Sequence, residues 1–220
     1  MKITFQDVKN NAAVNAYIKK ADESLTALGY TEHGFTHVTK VAQVAADILT
    51  QTGHSGRDAE LAAIAGYLHD IGNIVNRSGH ESSGALMAFS LLSALGADPD
   101  DIATIVTAIG SHDESTAFPV NDVSAALILA DKTDVRYTRV RNQATIAQDI
   151  HDRVNFAVKQ SRVEVVAEKK EIRLSLTIDT AVCPIYEYFE IFLTRMLLCR
   201  RAAERLGYGF ALDINGQKMM

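Results

Sequence analysis

The sequence predicts a mainly α fold, a helical bundle that carries a small α+β part at its C-terminus. Three observations predict it. Apolar residues recur at helical spacing through most of positions 1–160. Only three prolines occur in 220 residues, so little interrupts that period. After about residue 160 the pattern changes to alternation. Hydrophobic residues make up 47% of the chain, enough for a sizeable core. The change of pattern places a helical domain at 1–160 and a C-terminal extension at 161–220, with no flexible linker between them.

Helices are expected at 7–27, 35–51, 57–70, 79–95, 99–111, 121–132 and 143–159. Asp98-Pro99-Asp100-Asp101 offers an N-cap, a proline at the first helical position and acids in the first turn. Gly53 and Gly96 follow helix ends, where a left-handed cap is common. In "SRVEVVAEKKEIRLSLTID", Val163 and Val165, then Ile172, Leu174, Leu176 and Ile178, alternate around Glu168-Lys169-Lys170, which reads as a hairpin. A long helix at 184–206 follows. Its apolar and aromatic residues cover much of its circumference, so it is expected to wedge between body and hairpin, with a homodimer contact left open. "YGFALDING" reads as a short strand ending in an Asn-Gly turn.

The formal net charge of -5 argues against a non-specific nucleic-acid or anionic-membrane binder. No run approaches the roughly 18–20 apolar residues of a membrane span, and "MKITFQDVKN" has no apolar signal core. Cys183 and Cys199 form no CxxC pair and read as reduced thiols of a cytoplasmic protein.

The informative stretch is "LAAIAGYLHDIGN". Leu61, Ile64, Ala65 and Leu68 define a buried stripe, and His69, eight positions beyond Leu61, falls on or beside it. His37 heads a stripe through Val41, Val44 and Ile48. His112 extends Ile102, Ile105 and Ile109. His80 heads Gly84, Met87 and Leu91, and Asp131 follows Val123 and Leu127. A lone histidine on an apolar face is usually a hydrogen-bonded core residue, and Asp131 alone reads equally well as a cap or an ion-pair partner of Arg136. The ordered set is different. An ionised carboxylate buried without a partner is very costly, so several imidazoles and two carboxylates buried together point to a divalent cation among them. His33, four before His37, is a candidate substrate contact. His54 and His151 show no such placement and read as solvated.

The stretches "HGFTHVTKVAQVAADIL", "AGYLHDIGN", "GHESSGALMA", "AIGSHDE" and "ALILADKTDVRYTR" resemble, in order, the HD-domain superfamily of metal-dependent phosphohydrolases. The resemblance spans residues 33 to about 141. It implies an HD-type helical bundle in which His37, His69, Asp70 and Asp131 form the core metal site. His80 and His112 match the extra histidines of the binuclear branch, where the aspartate of the His-Asp pair bridges both ions. Against the cyclic-dinucleotide phosphodiesterases, Ser111-His112-Asp113 replaces a paired His-His, Asn73 replaces a lysine and the Gly-Tyr-Pro signature is absent, so cyclic-di-GMP turnover is not expected.

The implied cofactor is one or two divalent transition-metal ions. Nitrogen and oxygen donors without thiolate suit iron, manganese, cobalt, nickel or zinc. The implied reaction is hydrolysis of a small phosphate ester or nucleotide by metal-activated water. Asp70, Lys132 and Arg136 are the candidate catalytic residues, Lys132 and Arg136 because four-residue spacing would put them on one helical face. His33, Arg77 and Arg139 are the candidate substrate-binding residues. An ordinary solvated basic face is the alternative for the cations, and Arg141 belongs to the same run. Asp113 is a further candidate ligand or supporting carboxylate, whereas Asp134 and Glu114 read as surface residues. Two rival readings stand beside hydrolysis: a di-iron oxygenase of the same superfamily, and a non-catalytic metal-containing module that binds a nucleotide or protein.

Overall fold

A computed structural model describes residues 1–142, 144 and 146–220. The chain is mainly α, as expected. The single helix expected at 7–27 is two: α1 (Phe5–Lys9) and α2 (Ala12–Ala27). The break has a local cause. Asn11 takes an extended backbone, and its side-chain oxygen accepts from the Ala13 and Val14 N–H groups, so it caps a new helix rather than continuing the old one. Thr4 and Asp7 form a reciprocal capping box on α1.

The body consists of α3 (Phe35–Gln51), α4 (Gly56–Leu68), α5 (His80–Ala94), α6 (Pro99–Gly110) and α7 (Asp122–Lys132). Asp98 caps α6 through the Asp100 N–H, with Pro99 at its first position. Gly53 and Gly96 both take positive φ, at 86° and 73°, and close α3 and α5. Helices α3 and α4 pack closely because Gly66 lies on the backbone of Ala42; a Cβ there would stand 2.8 Å from the Ala42 Cα and N. Helix α7 is buried on every side from Val123 to Ala130, which places it at the centre of the bundle between α3, α4 and α9 (Ile185–Arg205). Leu127 on α7 and Ile64, Leu68, Ile105 and Phe192 on other helices are among the buried side chains of the core. Each such side chain contributes about 1.5–3 kcal/mol of apolar burial.

The helix expected at 143–159 is shorter. α8 spans Ile150–Ala157, started by Asp149, whose carboxylate accepts from the His151 and Asp152 N–H groups; positions 143 and 145 of the expected helix lie outside the described residues. The hairpin joins β1 (Val158–Val166) and β2 (Glu171–Ile178), antiparallel, with Lys170 at φ 46° in the turn. β3 (Gly209–Ile214) runs parallel to β2, with α9 as the crossover that a parallel pair requires. The Asn215-Gly216 turn returns the chain as β4 (Gln217–Lys218), giving the order β1-β2-β3-β4. No helix among the described residues is long and apolar enough to cross a membrane.

Candidate metal centre

The ends of five helices meet at one place. His37 lies in the first turn of α3 and His80 opens α5. His69 and Asp70 stand just past α4, His112 just past α6, and Asp131 in the last turn of α7. The expected helices 57–70 and 99–111 therefore end slightly early, and His69 takes the C-cap position of α4. The carbonyl ends of α4, α6 and α7 face this place, as do the amide ends of α3 and α5.

All four imidazoles are oriented the same way. Nδ1 of His69 donates to Gly66 O at 2.8 Å, that of His112 to Ile109 O at 2.6 Å and that of His80 to Arg77 O at 3.1 Å. Nδ1 of His37 donates to the Asp134 carboxylate at 2.8 Å. These acceptors cannot donate, so each outer nitrogen carries the proton and each Nε2 presents a lone pair inward. The inward atoms crowd together. His37 Nε2 is 3.4 Å from Asp131 Oδ1 and 3.6 Å from Asp70 Oδ2, and His69 Nε2 is 3.1 Å from Asp70 Oδ2. His80 Nε2 is 3.5 Å from Asp70 Oδ1 and 3.2 Å from His112 Nε2.

His37 Nε2, His69 Nε2 and Asp70 Oδ2 are buried with no hydrogen-bond partner. Buried polar atoms are rarely left so, and a cluster of acceptors facing acceptors calls for a cation. The donor atoms form three overlapping groups, each within 4.8 Å: His37, His69 and Asp70; His69, His112 and Asp131; Asp70, His80 and His112. His69, Asp70 and His112 each belong to two of these groups and so link the cluster.

The electrostatics favour the ligating form of Asp70, Asp131, His80 and His112. Burial would raise the carboxyl pKa values, but the charge of His69 at Asp70, and that of Lys132 at Asp131, outweigh it and hold both well below the usual carboxylate range. Burial, reinforced by His69 and Lys132, drives His112 down to about 3. Burial also lowers His80, and it lowers His33 with the help of the Arg139 charge. His69 runs the other way: burial opposes protonation, but Asp70 and Asp131 raise its pKa, so a proton and a metal compete for that nitrogen.

The predicted cations divide. Lys132 is buried, its Nζ 2.8 Å from Asp131 Oδ2. Arg77 and Arg139 line the small recess in front of the ligand cluster, as does His33. Arg77 donates to Asn73 Oδ1 at 3.3 Å and lies over the Tyr30 ring at 5.6 Å. Arg139 is also buried and donates to the carbonyls of Glu32 and Asp134. Arg136 does not line the recess. Helix α7 ends at Lys132, so the two share no helical face, and Arg136 instead reaches Asp134 at 2.9 Å and Glu32 at 3.3 Å. Asp113 caps Ser115. Of the histidines expected to be solvated, His151 is exposed, whereas His54 is half-buried against Thr52.

Two residues expected at the surface are not there. Asp134 is buried, and three protein donors satisfy its carboxylate in place of solvent: His37 Nδ1 and Lys40 Nζ, each at 2.8 Å, and Arg136 Nε. Glu114 is half-buried, bridging Lys132 Nζ at 3.8 Å and Arg195, with which it forms a close ion pair. Asn73 and Arg195 were not among the candidates. Asn73 donates to Asp70 Oδ1 at 2.9 Å and fixes that carboxylate. Arg195, from α9, lines the recess beside Arg77 and Arg139.

The recess encloses about 30 Å³, room for ions, water or phosphoryl oxygens but not for an organic group. It adjoins a cavity of about 530 Å³ that reaches out past Tyr30 to α8. His33, Arg77, Arg139 and Arg195 line both spaces and so stand at their junction.

Comparison with known proteins agrees with this geometry. The model of the HD domain family matches residues 34–136, from the turn before α3 to just past α7. The uncharacterized protein MJ1020 of Methanocaldococcus jannaschii is 24% identical over 212 residues, covering 84% of this chain and 81% of that protein. The matched segment supplies every helix end that delivers an inward imidazole or carboxylate to the cluster, and over residues 34–136 this chain is similar to the HD domain family.

Proposed function

We propose that this protein is a cytoplasmic metal-dependent phosphohydrolase that cleaves a small phosphate ester or nucleotide with a metal-activated water. One observation carries the reading. Four imidazole lone pairs and two carboxylates converge beside a small recess that is also lined by Arg77, Lys132, Arg139 and Arg195. Acceptors without donors fit a divalent ion, and cations beside them fit a phosphoryl group.

His37, His69, Asp70 and Asp131 would hold one ion; Asp70, His80 and His112 would hold a second. A bound divalent ion supplies Lewis acidity, lowering the pKa of water toward neutrality and polarising phosphoryl oxygens. The chain's own residues do the rest. Asn73 orients Asp70, and Asp134 orients His37. Lys132 keeps Asp131 ionised and presents its remaining donors to the recess. Arg77 and Arg139 offer guanidinium donors where charge builds on the transferred group. The small volume of the recess limits competing water.

The test is metal-stimulated release of phosphate or nucleoside monophosphate across a panel of phosphate esters, with protein loaded in turn with iron, manganese, cobalt, nickel and zinc. Turnover that Asp70→Ala abolishes is the expected result. A protein that neither retains metal nor turns over any member of the panel would overturn the reading, and oxygen uptake by the iron-loaded form would replace it with the oxygenase.

A further inference from the structure

We propose that Arg195, with Arg77 and Arg139, forms a second anion subsite that selects substrates carrying another anionic group next to the scissile phosphate. A diphosphate is the chemical class that fits.

The position of the three guanidinium groups carries the inference. The recess itself accommodates little more than the scissile phosphoryl oxygens, and Lys132 beside Asp131 already stands there. Arg77, Arg139 and Arg195 line the recess and the outer cavity alike. They therefore surround the place where the group bonded to the scissile phosphorus must pass. A neutral alcohol at that point would meet three cations and satisfy none of them. A second phosphoryl group would accept from their planar N–H forks.

The arginines are held for that task rather than left mobile. Arg139 is buried and pinned by the carbonyls of Glu32 and Asp134. Arg77 lies over Tyr30 and contacts Asn73. Arg195 lies over the Phe192 ring at 4.3 Å and pairs with Glu114, which also faces Lys132. Preorganised cations lose less entropy on binding. Arg195 lies on α9, beyond residues 34–136, so this choice of substrate comes from a helix outside the HD domain. The inference rests on the phosphohydrolase reading only for what happens after binding.

The experiment is calorimetric binding of methylphosphonate and methylenediphosphonate to the full-length, metal-loaded protein, wild type against Arg195→Gln. The metal's own preference for a chelating ligand is common to both proteins and cancels in the comparison. Arg195→Gln is expected to weaken methylenediphosphonate about tenfold or more, the loss of one charge-assisted contact, and methylphosphonate less than about threefold. Arg195→Lys, which keeps the charge, should lose less on the diphosphonate than Gln does, and carries the test if the Gln variant unfolds. Equal weakening of both ligands, or no change in either, would overturn the proposal. Arg195-dependent diphosphonate binding by a protein that hydrolyses nothing would sink the hydrolase reading and leave this one standing. Hydrolysis with no Arg195-dependent selectivity would do the reverse.

Discussion

Asp134→Asn is the most informative single substitution. The Asp134 carboxylate, itself without exposure to solvent, takes His37 Nδ1 and Lys40 Nζ at 2.8 Å, Arg136 Nε at 2.9 Å and Arg139 at 3.8 Å. Asparagine keeps the shape but removes the charge and turns an amide N–H₂ toward one of these donors. Breaking a buried charge pair costs about 3–5 kcal/mol, which for a chain of this length lowers the melting temperature by roughly 10 °C. His37 loses the acceptor that fixes its tautomer, so metal affinity should fall about 10–100-fold. The pH dependence has a definite sign. Burial raises the Asp134 pKa, but the hydrogen bond from His37 and the charges of Arg139 and Lys40 outweigh burial and depress it well below its usual value. A depressed folded pKa stabilises above the unfolded value of about 3.9 and stops doing so as the pH falls through the folded one. The stability gap between wild type and variant should therefore persist from neutral pH to about pH 5 and close only in stronger acid. Metal titration against a chromophoric chelator and thermal melts across pH measure both quantities. Arg136→Gln is the control, since it removes a partner of Asp134 without touching His37. Wild-type metal affinity in Asp134→Asn, or the same loss in Arg136→Gln, would refute the reasoning.

Two other outcomes are expected. In Gly72→Ala the added Cβ would overlap the His80 carbonyl oxygen and stand 2.5 Å from Gly84 N, both backbone atoms that cannot swing away. The variant should lose about 3 kcal/mol by urea unfolding, and its metal affinity with it, because the clash separates Asp70 from His80; an unchanged midpoint would contradict the packing. Burial pushes the Cys183 thiol up to about 11, helped by Glu187, and the Cys199 thiol up to about 12. Thiolate at pH 8 is then about one part in a thousand or less, so a disulfide reagent should titrate both cysteines in denaturant and neither in the native protein within minutes; rapid reaction of the folded chain would show that the thiols are accessible.

What the sequence could reveal followed from periodicity, and what it hid lay where periodicity stops. Histidines 37, 69, 80 and 112 and Asp131 sit in a helix or within two residues of its end, where its apolar stripe aims them inward, so a 3.6-residue period finds them. Asp134 lies past the end of α7, in a turn where no period applies, and a carboxylate among Lys132, Arg136 and Arg139 looks solvated on paper. The shared face expected for Lys132 and Arg136 does not form for the same reason: four-residue spacing has meaning only while the helix lasts. The split of 7–27 did have a signal, the Asn10-Asn11 pair, which competes for backbone N–H groups better than it continues a helix.

Arg195 is the instructive miss. It stands between Phe192 and Cys199, three before and four after it, both buried on the face of α9 that covers α7. A charged residue bracketed at i−3 and i+4 by core residues is the same anomaly that exposed His69, and burial of a charge demands a partner. Glu114 supplies one partner, yet the guanidinium still borders both the recess and the cavity. The ligand cluster therefore lies within residues 34–136, whereas the wall that a substrate would meet is shared with α9. Chemistry and selectivity are then separable in this chain. Substitutions at Asp70 or Asp134 should change how metal is held, and substitutions at Arg195 should change only which anion is admitted.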